Sequence, residues 1–256
     1  MTTLLNISGD AARLGAPDQA SRRDASVSQL NSRIGLRGKL ALGRRELCAK
    51  FHSSPPRVLR SSELLGVADG SRDAIYHLRA GWACQFRDLA NGHRAITDIY
   101  LPGDVIGLDT AIRTRRSEEF LTLTSVTVET IHAQDALIDL TASQSTALYI
   151  AWLLAQRQRR ADRLLAAFSC LDARGRLATM LFDFYTRLLG RKLINAPEYN
   201  LPLTQTQVGY YLGLTAVHVN RMFQSLRDER MVQMEKHYLI ILDLQGLRNL
   251  ARRRQL

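Results

Sequence analysis

The chain has 256 residues and a formal net charge of +11, with a pI near 10.1; it can bury a sizeable core in two domains, and its charge favours a polyanionic partner. Cys48, Cys84 and Cys170 form no C-x-x-C pair and exclude a disulfide framework. Met1–Ala20 has no basic start followed by a long apolar run, and the longest apolar stretch, Ala147–Ala155, is nine residues against the ~20 that span a bilayer. These features predict a cytoplasmic protein without a membrane segment.

Residues 1–45 are rich in Ser, Ala, Gly and Arg and lack sustained periodicity. From Met1 to Arg60 there are 11 Lys or Arg against 4 Asp or Glu, so 1–45 read as a disordered basic arm, either a solvated tail or a source of phosphate contacts. Over 57–132 the segments AIYHLRAGWACQFRDL, HRAITDIYL and FLTLTSVTVETIHA alternate β-branched and aromatic residues with polar ones. Turn signals separate them at Asp69-Gly70, Asn91-Gly92 and Pro102-Gly103-Asp104, the second predicting a hairpin. Short strands at this spacing predict an all-β barrel or roll, assigned to 46–142.

Helical periodicity begins near residue 143. Ala147, Ile150, Leu154, Arg157, Ala161, Leu164 and Phe168 recur at three and four, which predicts a long helix over 143–169 with this stripe as a dimer seam. Arg157 fits such a stripe only if it pairs or points out at the edge. Asp172 is a predicted N-cap for a helix that buries Leu177, Leu181, Phe184 and Leu188 and ends at Gly190. Residues 191–203 read as a loop, and 170–256 as one domain.

Residues 204–229 read as a helix-turn-helix. Thr204 and Gln207 have capping-box spacing. Val208 and Leu212 share a face beside the small Gly209, Gly213 supplies the turn, Leu214 plugs the corner, and Thr215 caps a second helix that buries Val219, Met222 and Leu226. VQMEKHYLIILD then predicts a β-hairpin wing turning near Lys236-His237, and GLRNLARRRQL a short basic helix or a frayed tail.

The order of roll, long helix and winged helix-turn-helix resembles the Crp/Fnr superfamily of bacterial transcription regulators over about residues 57–245. HLRAGWACQFRDLANGHRAITDIYLPGDVIGL carries the sensor half of the likeness, and LPLTQTQVGYYLGLTAVHVNRMFQSLRDERMV the more specific DNA-binding half. The resemblance implies an α+β fold: an N-terminal antiparallel, cyclic-nucleotide-binding-like β-roll, a long dimerisation helix and a C-terminal winged helix-turn-helix. It also implies a homodimer that places the second helix of each motif in the major groove. Two such helices about one DNA turn apart, ~34 Å, would read an inverted repeat in double-stranded DNA. RNA polymerase at promoters is the implied protein partner.

Arg221 is the leading candidate for base recognition, because its planar fork matches O6 and N7 of guanine; the alternative is a surface arginine paired with Asp228 or a phosphate. Ala216, Val217, His218 and Asn220 are the other candidates on that helix. Val217 stands where many relatives carry a glutamate able to accept from cytosine, so the half-site should differ from theirs. Thr204, Gln205, Thr215 and Gln224 sit where helix starts and sides pass phosphates.

In the sensor half, Gly107 and Arg116-Ser117 fall where relatives that bind cyclic AMP hold the nucleotide. Leu108 replaces the ribose-binding glutamate, however, and Glu118 would set a carboxylate beside the phosphate, so cyclic nucleotide binding is disfavoured. Three scattered cysteines cannot supply the four thiolates of a cluster, and no cofactor is expected. Two rival classes of function fit the residues less well. A metal-dependent, cupin-like enzyme would want converging histidines, yet His52, His77, His93 and His132 stand singly and no H-E-x-x-H occurs. A winged helix used for protein contacts is opposed by Arg221, the basic stretch 157–163 and Arg252–Arg254.

Overall fold

The strand-forming residues between 57 and 132 build two antiparallel four-stranded sheets, as a roll requires. The computed structural model describes residues 35–66, 74–90, 92–109, 119–135 and 142–252. By packing, the chain falls into two units, residues 1–39 and 40–256; of the first, residues 35–39 are described and open the first helix. The strands are β1 (Arg57–Leu59), β2 (Leu64–Leu65), β3 (Ala74–Ala80), β4 (Ala83–Asp88), β5 (Arg94–Tyr100), β6 (Val105–Ile106), β7 (Glu119–Thr122) and β8 (Val126–His132). One sheet runs β1-β8-β3-β6 and the other β2-β7-β4-β5. Tyr76, Leu78, Ala83, Tyr100, Ile106, Phe120, Val126 and Val128 pack between them. The hairpin joining β4 to β5 forms, with Asp88 opposite Arg94; Asn91 and the Asp69-Gly70 turn lie outside the described residues.

The predicted disordered arm needs correction at its end. Leu36–Phe51 form a helix, α1, so residues 36–45 are helical, while 1–34 lie outside the described residues. Its buried row is Gly43, Leu47 and Phe51, four apart, and only two of these are large and apolar, which hid the periodicity. Gly43 allows close approach to the next helix, since a Cβ there would lie 1.9 Å from the Ser145 carbonyl oxygen.

That helix, α2 (Gln144–Cys170), is capped by Ser143. Part of the stripe read as a dimer seam packs within the chain. Ile150 joins Leu47, Phe51, Ile75 and Leu108, with Leu154 against them, and Leu164 packs on the C-terminal core. Arg157 is paired, with Asp98 of β5 at 3.2 Å and with Asp109. Ile150, Leu154 and Arg157 of the stripe thus face this chain's own roll, while Ala161 is exposed.

Asp172 caps α3 (Ala173–Gly190), its carboxylate accepting from the Gly175 amide at 2.7 Å. The helix ends at Gly190, but Lys192 takes the left-handed conformation, φ 59°. The stretch read as a loop contains a strand, β9 (Glu198–Asn200), which pairs with β11 and makes the wing three-stranded in the order β10-β11-β9. Only Tyr199 of β9 is buried, too little alternation to announce a strand. Then come α4 (Gln205–Leu212), α5 (Ala216–Asp228), β10 (Val232–Glu235), β11 (Tyr238–Ile241) and α6 (Leu244–Leu250). No helix among the described residues is long and apolar enough to cross a membrane.

One continuous apolar core joins the roll to the winged helix. Trp82, Cys84, Phe86, Ile96, Ile99 and Leu101 share it with Leu177, Leu181, Phe184, Tyr211, Val219 and Leu226; Trp82 meets Phe184 edge-on at 5.2 Å. Beside it, the Asp104 carboxylate, buried in the turn before β6, binds Arg187 of α3 and Arg191, the C-cap of that helix, and accepts from the Leu101 amide at 2.7 Å. Arg187 also donates to the Ile99 carbonyl at 2.9 Å, and Arg191 to that of Pro102 at 2.7 Å. Burial alone would raise the Asp104 pKa, but Arg187 and Arg191 hold it well below the usual carboxylate range.

Candidate nucleic-acid interface

The helix-turn-helix is set by capping and by one close contact. Thr204 Oγ1 accepts from the Gln207 amide at 3.2 Å while Gln207 Oε1 accepts from the Thr204 amide at 2.8 Å, a closed capping box. Gly213 ends α4 at φ 64°, ψ 39°, a left-handed position that suits glycine. At Gly209 a Cβ would lie 2.4 Å from the Leu214 carbonyl oxygen, so the turn packs directly on the helix backbone. Gly209→Ala should therefore cost about 1–3 kcal/mol of stability. Gly190→Ala, which meets nothing within 4 Å, should be neutral or slightly stabilising in the same urea titrations.

Thr215 caps α5, accepting from the His218 amide at 3.2 Å. In both caps the threonine oxygen is an acceptor, which leaves the hydroxyl hydrogen for an outside acceptor. The buried row of α5 is Val219, Phe223 and Leu226. Met222, predicted to be buried, is only partly so and packs at the edge of the core; Phe223, one position on, takes the inward place.

The opposite face of α5 is open. Val217 is 69% exposed, and His218, Asn220, Arg221 and Gln224 are exposed, with Ala216 partly so. Among the described residues Arg221 makes no hydrogen bond or ion pair; Asp228, its suggested surface partner, accepts from Gln224 Nε2 at 2.8 Å instead. Thr204 and Gln205 lie exposed at the start of α4, and Gln205 Nε2 donates to Asn220 Oδ1 at 3.2 Å, bringing the two helices' side chains together. That bond depends on the helix crossing and leaves no local mark in the sequence. Lys236 and His237, exposed at the wing turn, extend the surface beyond the residues singled out; a Lys-His pair between two strand-like runs was the available signal.

On the sensor side Gly107 takes a φ of 88°, whereas Arg116 and Ser117 lie outside the described residues. Leu108 is buried with Leu47, Phe51, Ile75 and Ile150, and Asp109 pairs with Arg157. Burial pushes the Cys84 thiol up to about 12, which makes it a packing residue; Cys170 is exposed.

Comparison with known proteins agrees with this architecture. Residues 175–250 match the family model of the Crp-like helix-turn-helix domain. The transcriptional regulatory protein btr of Bordetella pertussis is 27% identical over 196 residues, covering 76% of this chain and 79% of the relative. The anaerobic regulatory protein of Haemophilus influenzae is 26% identical over 190 residues, covering 74% and 73% respectively. The structure of FixK2 from Bradyrhizobium japonicum superposes with a TM-score of 0.67 at 20% identity, covering 79% of this chain and 99% of that one. These relatives are regulators rather than enzymes. Domain match, relatives and fold converge on the Crp/Fnr superfamily of transcription regulators, with a Crp-like helix-turn-helix domain in the C-terminal part of the chain.

Proposed function

We propose that the protein is a cytoplasmic, homodimeric regulator that reads an inverted repeat by placing α5 of each subunit in the major groove, Arg221 contacting guanine. The observation that carries this reading is the free guanidinium of Arg221 on the exposed face of a helix whose other face is locked into the core. Thr204, Gln205, Thr215, Ala216, Val217, His218, Asn220 and Gln224 complete the surface, the threonine hydroxyls and helix starts serving phosphates. RNA polymerase at promoters is the protein partner in this reading.

The dimer in this proposal uses a row of α2 different from the predicted one. With Ile150, Leu154, Arg157 and Leu164 engaged inside the chain, Trp152 remains 41% exposed and Leu165 66% exposed, flanked by exposed Ala151, Ala155 and Ala166. Their spacing suits a helix pair. The roll in this reading works without cyclic AMP, because Leu108 is part of the core and Arg157 already neutralises Asp109. Arg116, Ser117 and Gly107 are the residues to examine if an effector is found.

Selection from a randomised duplex library, using protein without added ligand, tests the reading together with sedimentation equilibrium. The expected result is a dimer that enriches an inverted repeat, and a Leu165→Asp variant that sediments as a monomer and loses the repeat. A monomeric wild-type protein, or one that coats DNA without enriching any sequence, would overturn it.

A further inference from the structure

The open face of α5 offers donors and methyl groups and almost no acceptor. Ala216 and Val217 carry no polar side-chain atom, and Arg221 is donor only. Gln224 is engaged at both ends of its amide, donating to Asp228 Oδ1 at 2.8 Å and accepting from Arg227 at 2.7 Å. His218 offers a donor or an acceptor according to its tautomer. That leaves Asn220, whose Oδ1 accepts from Gln205 Nε2 at 3.2 Å. A carboxamide is planar, so with its oxygen turned toward Gln205 its NH2 group faces away from it.

We propose that Gln205, from the first helix of the motif, sets the hydrogen-bond polarity of Asn220 and makes the surface selective for acceptor-bearing major-groove edges. Those edges are guanine N7 and O6, and thymine O4 with its methyl group; adenine sets an N6 donor beside its N7 acceptor, and cytosine presents a donor alone. The inference rests on α5 being the major-groove helix. An asparagine reads adenine by accepting from N6 and donating to N7 together. Here one lone pair of the oxygen is taken by Gln205 and the carbonyl is turned toward the neighbouring helix, so the donating half is the end that faces away from it. Guanine and thymine require nothing more of it, and Val217 beside it suits a thymine methyl. Gln205 is thus a positioning residue, which acts on the base through Asn220.

The test is the same library selection run on wild type, Gln205→Glu, Asn220→Ala and the double variant. The base pair faced by Asn220 is the one whose preference Asn220→Ala erases. Wild type is expected to take guanine or thymine there. A glutamate at 205 can only accept, so it must pair with the Asn220 NH2 group and turn the oxygen toward the groove. Gln205→Glu should then shift that one position about tenfold toward adenine or cytosine, leave the Arg221 guanine unchanged, and lose the shift in the double variant. Adenine preferred by wild type at that position, or an unchanged preference in Gln205→Glu, would overturn the inference while the DNA reading stood. A wild-type protein that enriched no motif would overturn the reading itself and this inference with it.

Discussion

Asp104→Ala should destabilise the protein by about 3 kcal/mol, measured by urea unfolding near neutral pH, because it takes from the buried Arg187 guanidinium its nearer carboxylate and leaves only Asp183 at 3.4 Å. The Asp104 side chain is 8% exposed and that of Arg187 10%. Neither charge has water to fall back on, and the same carboxylate also serves Arg191 and the Leu101 amide. The pair bridges the roll and α3, so the loss should appear as earlier release of the winged helix from the roll, followed by the fluorescence of Trp82 against Phe184. The pH dependence has a fixed sign. The folded pKa of Asp104 is depressed, so its contribution is full above the unfolded value of about 4 and is lost as pH falls below it. Asp104→Asn keeps the volume and removes the charge; its stability deficit relative to wild type should shrink between about pH 4 and pH 2. A deficit independent of pH over that range would show that the ion pair contributes nothing.

Arg221→Ala should reduce discrimination between the selected repeat and random duplex by roughly tenfold to a hundredfold, corresponding to about 1–3 kcal/mol per bidentate contact. Weak binding should persist and fall steeply with salt, since the remaining cations still release counterions from phosphates. Arg221→Lys should not restore the preference, because a point charge lacks the paired donors of the guanidinium fork. The comparison is made at fixed salt by competition between specific and random duplexes. Full discrimination in Arg221→Ala would remove this residue from base reading and leave it a phosphate contact.

The helix-turn-helix was legible because each part of it is local. Thr204 with Gln207, Gly213, and Thr215 with His218 satisfy helix ends within four residues, and such signals survive in a linear reading. The Asp172 cap and the β4–β5 hairpin were legible for the same reason. Met222 was misjudged by one position because two adjacent apolar residues compete for the inward place, and the angle at which α5 meets the core decides between them. β9 was missed because a three-residue strand is defined by its partner, β11, rather than by its own pattern.

The sequence by itself determined the types and order of the elements other than α1 and β9, and the family likeness, since periodicity, capping and turn chemistry act over a few residues. Only the tertiary structure decided which surfaces meet. It turned part of the periodic stripe of α2 toward the chain's own roll, gave Arg157 its partners Asp98 and Asp109 from distant loops and strands, and fused roll and winged helix through one core. It also brought Gln205 to Asn220 across 15 residues. The physical reason is common to all four: the partners are far apart in sequence, and burial or charge can choose among them only after the chain has folded.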